Sequence, residues 1–278
     1  MDFHENELVS LYLSELNEID DASSELQNVK LFVHPLLGKV LVINGEIQHI
    51  ENYQCPYHEL LVHLPAAFIR EPRKVLIIGG GSLFAAYEAL KYPCIEHIDL
   101  CDYDSNVLSL MTKHYDHAQK VMGDLRFHFI NEDARHYIAN SDNRYDIVIN
   151  DCFNILAESE KSATSMFTTL SDLLFDDGIC CDVIYRHIFD KYTVKNSIVE
   201  IRKSSNLRLA PVTVPEYPGI LHIQVLWGKN TDLGSDIIEL KNLYQLSVAN
   251  DVMPFEFYNP TYLSYYFYLP PYIKNKIM

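Results

Sequence analysis

A stretch near the middle of the chain most constrains its fold. Residues 75–104 read VLIIGGGSLFAAYEALKYPCIEHIDLCDYD: an apolar strand, three glycines, a helical segment and a second strand ending in Asp102. Glycines allow positive φ and a close approach of a ligand to the backbone, and the following helix adds free N–H groups and a positive dipole end. An acidic residue about 20 positions further on can accept hydrogen bonds from both ribose hydroxyls. The pattern predicts a strand–turn–helix unit that receives a nucleoside.

The rest of the chain continues this alternation. Helical spacing of apolar residues predicts a helix over 82–91. Apolar runs predict strands at 74–78, 97–101, 126–130, 145–150 and 178–184. Alternating strands and helices form a parallel sheet that is covered on both faces. Two long β runs after residue 206, joined around Pro215–Gly219, suit an antiparallel pair at the edge of that sheet.

The segment before the glycines has a different pattern. Residues 28–63 contain two apolar runs broken by Pro-Leu-Leu-Gly and then by Asn-Gly, which is a strong hairpin signal. A helix is expected to start between Tyr57 and His63 and to lead to Pro65. The N-terminal part of the chain is therefore predicted to be mainly β.

Composition narrows the possible partners. The 278 residues carry a formal net charge of −16, which repels phosphate backbones and disfavours nucleic acid. The same charge attracts a small cation such as a polyamine, although plain solubility is by itself the better explanation of it. No run reaches the roughly 18 apolar residues of a membrane span, and the acidic N-terminus lacks the order of a signal peptide. We expect a cytoplasmic protein without a membrane partner.

Acidic side chains follow the predicted strands. Gly79–Gly81, Asp102, Asp133 and Asp151 all stand at strand ends, where open α/β sheets bind their ligands. Each aspartate could instead cap a helix, but the three together favour a binding site. No metal site is expected, because no C-x-x-C pair occurs and His58 and His63 are five residues apart.

Several motifs carry a family resemblance. The segments are GKVLVINGEIQ, YHELLVHLP, VLIIGGG, YDIVINDC and FYNPTYLSYYFYLPPYI. With them, the chain resembles the spermidine synthase (polyamine aminopropyltransferase) family from about residue 25 to its end. The resemblance implies an α/β fold with a Rossmann-like sheet of the class I methyltransferase type, over residues 66–278, and a small N-terminal β domain over residues 1–65. It also implies a homodimer or homotetramer.

The resemblance implies a reaction as well. Family members move the aminopropyl group of decarboxylated S-adenosylmethionine onto a diamine such as putrescine and release methylthioadenosine, without a metal. The residues that match the donor site are Gln27, Gly79, Gly80, Gly81, Asp102, Asp133 and Ala134. The residues that match the amine channel are Tyr57, His58 and Tyr217. Ser82 and Asn154 stand at two further substrate-binding positions of the family. Asp151 matches the catalytic aspartate, and a carboxylate there can take the proton of the attacking amine.

Two departures from the family pattern leave the reaction open. The glycine turn reads GGGSLF, so Ser82 replaces a carboxylate that pairs with the donor's amine, while Leu83 and Phe84 replace small residues. Ser82 is expected to cap the helix over 82–91. The catalytic loop reads DCFNILAE, so Asn154 replaces a second aspartate and two prolines are absent. The alternatives are a transferase that uses intact S-adenosylmethionine, for methyl or aminocarboxypropyl transfer to an amine, and a catalytically silent homologue.

Overall fold

The computed structural model of the chain describes residues 1–4, 9–152, 167–187, 207–231, 233 and 254–277. Within these ranges a β-rich N-terminal region precedes an α/β region that is built on a seven-stranded sheet. Both parts follow the order that the sequence pattern predicts.

Six short strands form the N-terminal region. They are β1 (Asp2–His4), β2 (Ser10–Tyr12), β3 (Asn17–Asp21), β4 (Val29–His34), β5 (Gly38–Ile43) and β6 (Glu46–Ile50). Strands β1 and β2 pair with each other, and β3 to β6 form an antiparallel sheet in sequence order. The predicted Asn-Gly hairpin is confirmed. Asn44 and Gly45 connect β5 to β6 with φ values of 54° and 84°, as a two-residue hairpin turn with positive φ requires.

The central sheet has the topology implied by the family resemblance. Its strands are β7 (Lys74–Gly79), β8 (His97–Asp102), β9 (Phe127–Asn131), β10 (Tyr145–Asp151), β11 (Leu174–His187), β12 (Leu207–Val212) and β13 (Ile220–Gly228). Their order across the sheet is β12-β13-β11-β10-β7-β8-β9. Strands β7 to β11 run parallel, and β13 pairs antiparallel with both β11 and β12. The predicted antiparallel edge is confirmed, and the strand expected at 178–184 is longer than predicted.

Helices cover both faces of this sheet. They are α1 (Cys55–Ala66), α2 (Phe84–Leu90), α3 (Ser105–His114), α4 (Asp116–Gly123), α5 (Ala134–Asn140), α6 (Leu263–Tyr266) and α7 (Pro271–Ile277), with a further helical stretch at 167–172. The larger core cluster joins α1 to α4 with one face of the sheet, and a second cluster joins α5 and residues 167–174 with the other. None of the helices in the described ranges is both long and apolar enough to cross a bilayer.

Helix α1 ties the C-terminal segment to the sheet. The buried Glu59 carboxylate accepts backbone N–H bonds from Glu256 at 2.7 Å and from Phe257 at 2.9 Å, and it also accepts one from Tyr258. The helix starts at Cys55, two residues before the predicted position, and Pro65 lies inside its last turn. The Glu59 carboxylate thus joins the YHE segment (residues 57–59) to the tyrosine-rich tail. Tyr57, at the start of the same segment, belongs to the candidate site.

Candidate active site

The glycine turn lies at the point where the order of the parallel strands reverses. Strands β7 and β10 are neighbours there, and Asp151 is the register partner of Gly79. Gly79 and Gly80 both have a φ of 74°, a conformation that side chains other than that of glycine rarely adopt. A Cβ atom on Gly79 would lie 2.6 Å from the Cβ of Cys152, and one on Gly80 would lie 3.3 Å from Asp151 Oδ2. The Asp151 carboxylate therefore lies directly over a turn that has no room for side chains.

Asp151 is held by a tyrosine from α1. The Tyr57 hydroxyl donates a hydrogen bond to Asp151 Oδ1 at 2.6 Å. Removal from water raises the pKa of Asp151 to about 7, the Tyr57 hydrogen bond opposes that rise, and the nearby Asp102 charge adds to it. A carboxylate with this pKa exchanges a proton near neutral pH, which is the property required of a general base.

Asp102 faces the same turn from the end of β8. A Cβ atom on Gly81 would lie 3.0 Å from Asp102 Oδ2, and Asp102 Oδ1 accepts the backbone N–H of Asp104 at 3.0 Å. Burial is the main reason why the pKa of Asp102 is raised, and backbone N–H donors limit the rise. The glycine turn thus has carboxylates on two sides, at Asp102 and at Asp151.

Gln27 reaches this edge of the sheet from the N-terminal region. Its Nε2 atom donates a hydrogen bond to Asp104 Oδ2 at 2.9 Å, and Asp104 Oδ1 caps α3 by accepting the Asn106 N–H at 3.0 Å. The sequence reasoning named Gln27 but missed the buried Asp104. The signal was present, since an aspartate that precedes Ser-Asn at the start of a helix is a typical N-cap.

Asp133 lies at the same edge of the sheet and caps a helix. It is exposed, and its Oδ1 accepts the Arg135 N–H at 2.8 Å at the start of α5. The next residue, Ala134, is buried. Of Asp102, Asp133 and Asp151, it is therefore Asp133 whose carboxylate caps a helix.

The expected cap at Ser82 is wrong. Helix α2 begins at Phe84, and its N-cap is Leu83, with a φ of 65° and no side-chain cap bond. The Leu83 N–H bonds to the Gly80 carbonyl at 2.8 Å, so the turn closes before the helix can start. The buried side chains of Leu83 and Phe84 then hold the start of the helix in the core, and Ser82 remains half-buried in the turn. Asn154 lies outside the described residues.

Phe84 packs into a group of buried rings below the glycine turn. Its ring lies 3.9 Å from that of His117, 4.9 Å from that of His58 and 5.0 Å from that of His49, measured between centroids. His117 Nε2 also bonds to the Ser82 carbonyl at 3.0 Å. The large residue that replaces a small one in the turn is therefore accommodated by the core.

The residues that match the amine channel lie around Tyr57. The Tyr217 ring lies 5.2 Å from that of His222, which lies 6.4 Å from the Tyr57 ring. His58 packs edge-on against Tyr57, and its Nδ1 contacts the Gln54 carbonyl at 3.0 Å. Burial lowers the pKa of His58 to about 4, so its ring is neutral at physiological pH. The rings of Tyr57, His58, Tyr217 and His222 thus form an aromatic wall beside Asp151.

A carboxylate that the sequence reasoning missed lies next to this wall. Glu216 precedes Tyr217 and is only 3% exposed. Burial raises the pKa of Glu216 to about 7, although the Ile50 N–H bonds to its carboxylate. No group in the described ranges hydrogen-bonds its buried Oε2 atom. An acidic residue between Pro215 and Tyr217 at the start of a β run was the available signal.

Comparisons with known proteins identify the family of the chain. The family model for the spermine/spermidine synthase domain matches residues 54–237. Putrescine N-methyltransferase 4 of Nicotiana tabacum is 30% identical over 264 residues, which cover 91% of this chain and 67% of that protein. Spermidine synthase 2 of Hyoscyamus niger is 29% identical over 265 residues, covering 91% of this chain and 84% of that protein.

The fold is also that of a solved structure. Spermidine synthase from Thermotoga maritima superimposes with a TM-score of 0.84 at 24% identity, covering 99% of this chain and 92% of that one. The match with the family model spans most of the chain, and the catalytic sheet with its glycine turn lies inside the matched range. The chain belongs to the spermine/spermidine synthase family and is an aminopropyltransferase-like enzyme.

Proposed function

We propose that this enzyme transfers a methyl group from intact S-adenosylmethionine to one nitrogen of a diamine such as putrescine. The observation that carries the chemistry is the Asp151 carboxylate, which the Tyr57 hydroxyl holds at 2.6 Å over the glycine turn. A carboxylate with a pKa of about 7 is suited to remove a proton from an alkylammonium, whose own pKa is near 10.

Each residue of the site has a separate role in the proposed reaction. Asp151 orients the amine and accepts one of its protons, while the nitrogen lone pair forms a bond to the carbon attached to the sulfonium. The carbon–sulfur bond breaks, and its electron pair stays on sulfur as a neutral thioether. Gly79 to Gly81 let the donor approach the backbone, and Asp102 accepts hydrogen bonds from the ribose hydroxyls. Rate enhancement then comes mainly from in-line positioning.

The choice of donor rests on Ser82. The tail of decarboxylated S-adenosylmethionine carries an ammonium only, and leaving such a group buried without an anion costs several kcal/mol. Intact S-adenosylmethionine carries its own carboxylate, which can accept a hydrogen bond from the Ser82 hydroxyl. The similarity to putrescine N-methyltransferases of Nicotiana at 30% identity supports the same choice.

Aminopropyl transfer from the decarboxylated donor to a diamine, with release of methylthioadenosine, is the second candidate. Gln27, Asp102 and Asp151 support aminopropyl transfer as well as they support methyl transfer. The similarity to spermidine synthases also supports aminopropyl transfer. Both candidates place the same base on the same acceptor. A catalytically silent protein is not favoured, because the tyrosine–aspartate pair and the glycine turn are intact.

A diamine is favoured as acceptor by Glu216. Its buried Oε2 atom has no hydrogen-bond partner among the described residues, and Glu216 precedes Tyr217, whose ring contacts that of Tyr57 through His222. A second ammonium on the acceptor would neutralise this carboxylate, while the reacting nitrogen lies at Asp151. A monoamine would leave Glu216 without a counter-charge.

One experiment tests the proposal and separates the two candidates. The purified enzyme is incubated with putrescine and either intact or decarboxylated S-adenosylmethionine, and products are identified by mass spectrometry. S-adenosylhomocysteine with N-methylputrescine supports methyl transfer, while methylthioadenosine with spermidine supports aminopropyl transfer. Methylthioadenosine from the intact donor, with an acceptor enlarged by an aminocarboxypropyl group, would overturn both. No turnover with either donor, but binding of methylthioadenosine, would identify a silent homologue.

The enzyme is also proposed to assemble as a homodimer or homotetramer. Four tyrosines of the C-terminal segment are 54–74% exposed: Tyr262, Tyr265, Tyr268 and Tyr272. Aromatic side chains are enriched at protein interfaces, so this segment is a suitable subunit contact. Light scattering after size-exclusion chromatography tests the assembly, and a monomer would contradict it.

A further inference from the structure

We propose that His97, Asp99 and His128 form a binding site for a divalent transition-metal ion such as Zn²⁺. Their potential ligand atoms all lie within 4.8 Å of one another. Asp99 and His128 are register partners on the neighbouring strands β8 and β9, and His97 precedes Asp99 by two residues. Residues two apart on a strand share a face, so the sheet itself brings the three side chains together.

The carboxylate of the cluster is held in place before any ion binds. Asp99 is only 4% exposed, and its two oxygens have different partners. Oδ1 contacts His97 Nε2 at 2.8 Å, while Oδ2 accepts the hydroxyl of the buried Tyr145 at 2.6 Å. The Tyr145 hydroxyl also contacts that of Tyr137 at 2.6 Å. Such outer partners orient a metal ligand and are typical of metal sites.

The two imidazoles complete a donor set that suits a transition metal. The rings of His97 and His128 stack at 4.2 Å between centroids, with an interplanar angle of 25°. Both side chains reach solvent, so water can fill the remaining positions of a tetrahedral ion. Two imidazole nitrogens and one carboxylate oxygen suit Zn²⁺, Co²⁺ or Ni²⁺, whereas Ca²⁺ and Mg²⁺ prefer oxygen ligands only.

Little movement is needed to close the site. Ligands at about 2.1 Å from a tetrahedral ion lie about 3.4 Å from each other, so the most distant of the atoms within 4.8 Å must approach by on the order of 1 Å. The exposed His128 can supply this by rotating its side chain. His97 Nε2 and Asp99 Oδ1, which are 2.8 Å apart, would separate slightly and bind the ion in place of each other.

The site is separate from the catalytic centre. His97 begins β8 and Asp102 ends it, and five residues of strand span about 17 Å. His58 and His63, the pair that the sequence reasoning rejected as metal ligands, do not belong to the cluster. An ion here would join β8 to β9 at the edge of the sheet and stabilise the fold without entering the reaction.

Calorimetric titration of the untagged, metal-free enzyme with ZnCl₂ and with CoCl₂ tests the proposal. We expect one equivalent of each metal to bind, and His128→Gln and His97→Gln to weaken binding at least tenfold. His136→Gln is the matched control: His136 is also exposed, but it lies on α5, pairs with Glu132 just before that helix and is outside the cluster. This control is expected to bind like the wild type.

The absorption spectrum of the Co²⁺-loaded enzyme identifies the ligands. Visible d–d bands without thiolate charge-transfer bands are expected, and they should disappear in His128→Gln while circular dichroism shows an unchanged fold. The proposal is overturned if the wild type binds no metal, if both cluster variants bind as tightly as the wild type, or if thiolate bands assign the metal to cysteine. None of these readouts depends on transferase activity.

Discussion

Replacing Asp151 by asparagine tests how strongly burial in the site raises the pKa of the proposed base. The pKa of Asp151 rises from 3.8 to about 7 on folding, so the folded protein holds a proton that the unfolded chain releases in this range. Stability therefore falls as the pH rises from about 4 to about 7, and the loss levels off above the folded-state pKa. About three pKa units at ~1.4 kcal/mol each give about 4 kcal/mol. This is an upper bound, because Asp151 is half-buried and keeps some contact with water.

Asparagine carries no charge at any of these pH values, and its Oδ1 atom can still accept the Tyr57 hydroxyl. Asp151→Asn is therefore expected to be about 2 to 4 kcal/mol more stable than the wild type at pH 8, with a clearly smaller difference at pH 5. Urea unfolding at both pH values measures this, with Asp142→Asn as the control at an exposed aspartate. Turnover should fall by a factor of about 100 or more. A stability difference that is independent of pH would refute the pKa argument, and full turnover would refute the role as base.

Three further predictions concern the surroundings of Asp151. Tyr57→Phe removes the hydrogen bond that lowers the pKa of Asp151, so the acidic limb of the pH–rate profile should move to higher pH; an unchanged limb would contradict this. Ser82→Asp should raise the preference for the decarboxylated over the intact donor at least tenfold in kcat/KM, whereas Ser82→Asn should not. Glu216→Gln should raise the KM for a diamine about tenfold but leave a monoamine of equal length unaffected; equal effects on both would argue against a role in acceptor binding. Because the pKa of Glu216 rises from 4.5 to about 7, this variant should also be up to about 3 kcal/mol more stable at pH 8.

Much of the fold could be predicted because its signals are local. The two central parallel strands contain the apolar runs Val75–Ile78 and Ile147–Ile149, and the hairpin at Asn44–Gly45 is specified by two residues whose φ must be positive. The glycine turn is specified in the same way at Gly79 and Gly80. The helix after the turn is shorter than predicted, because Leu83 closes the turn with a positive φ and keeps Ser82 and itself outside the helix.

The residues that were not predicted depend on the pairing of strands and on how deeply a side chain is buried. Asp99 and His128 are 29 positions apart, and only the pairing of β8 with β9 brings them side by side. Glu216 looks like an ordinary surface acid until the turn before β13 buries it against the backbone of Ile50. A single sequence shows which residues are acidic, but the pairing of distant strands decides which of them are removed from water.

Burial raises the pKa of three carboxylates in the described ranges to about 7: those of Asp151, Asp182 and Glu216. Asp182 Oδ1 accepts hydrogen bonds from the Asn150 side chain and the Val183 N–H, while its buried Oδ2, like Glu216 Oε2, has no partner among the described residues. Asp151 accepts the Tyr57 hydroxyl, and Glu216 precedes Tyr217, whose ring contacts that of Tyr57 through His222. A fold selected for stability alone would replace both by neutral residues, because each lowers stability above pH 7. The proposed acceptor, which carries two positive charges, would offset the free-energy cost of burying both carboxylates.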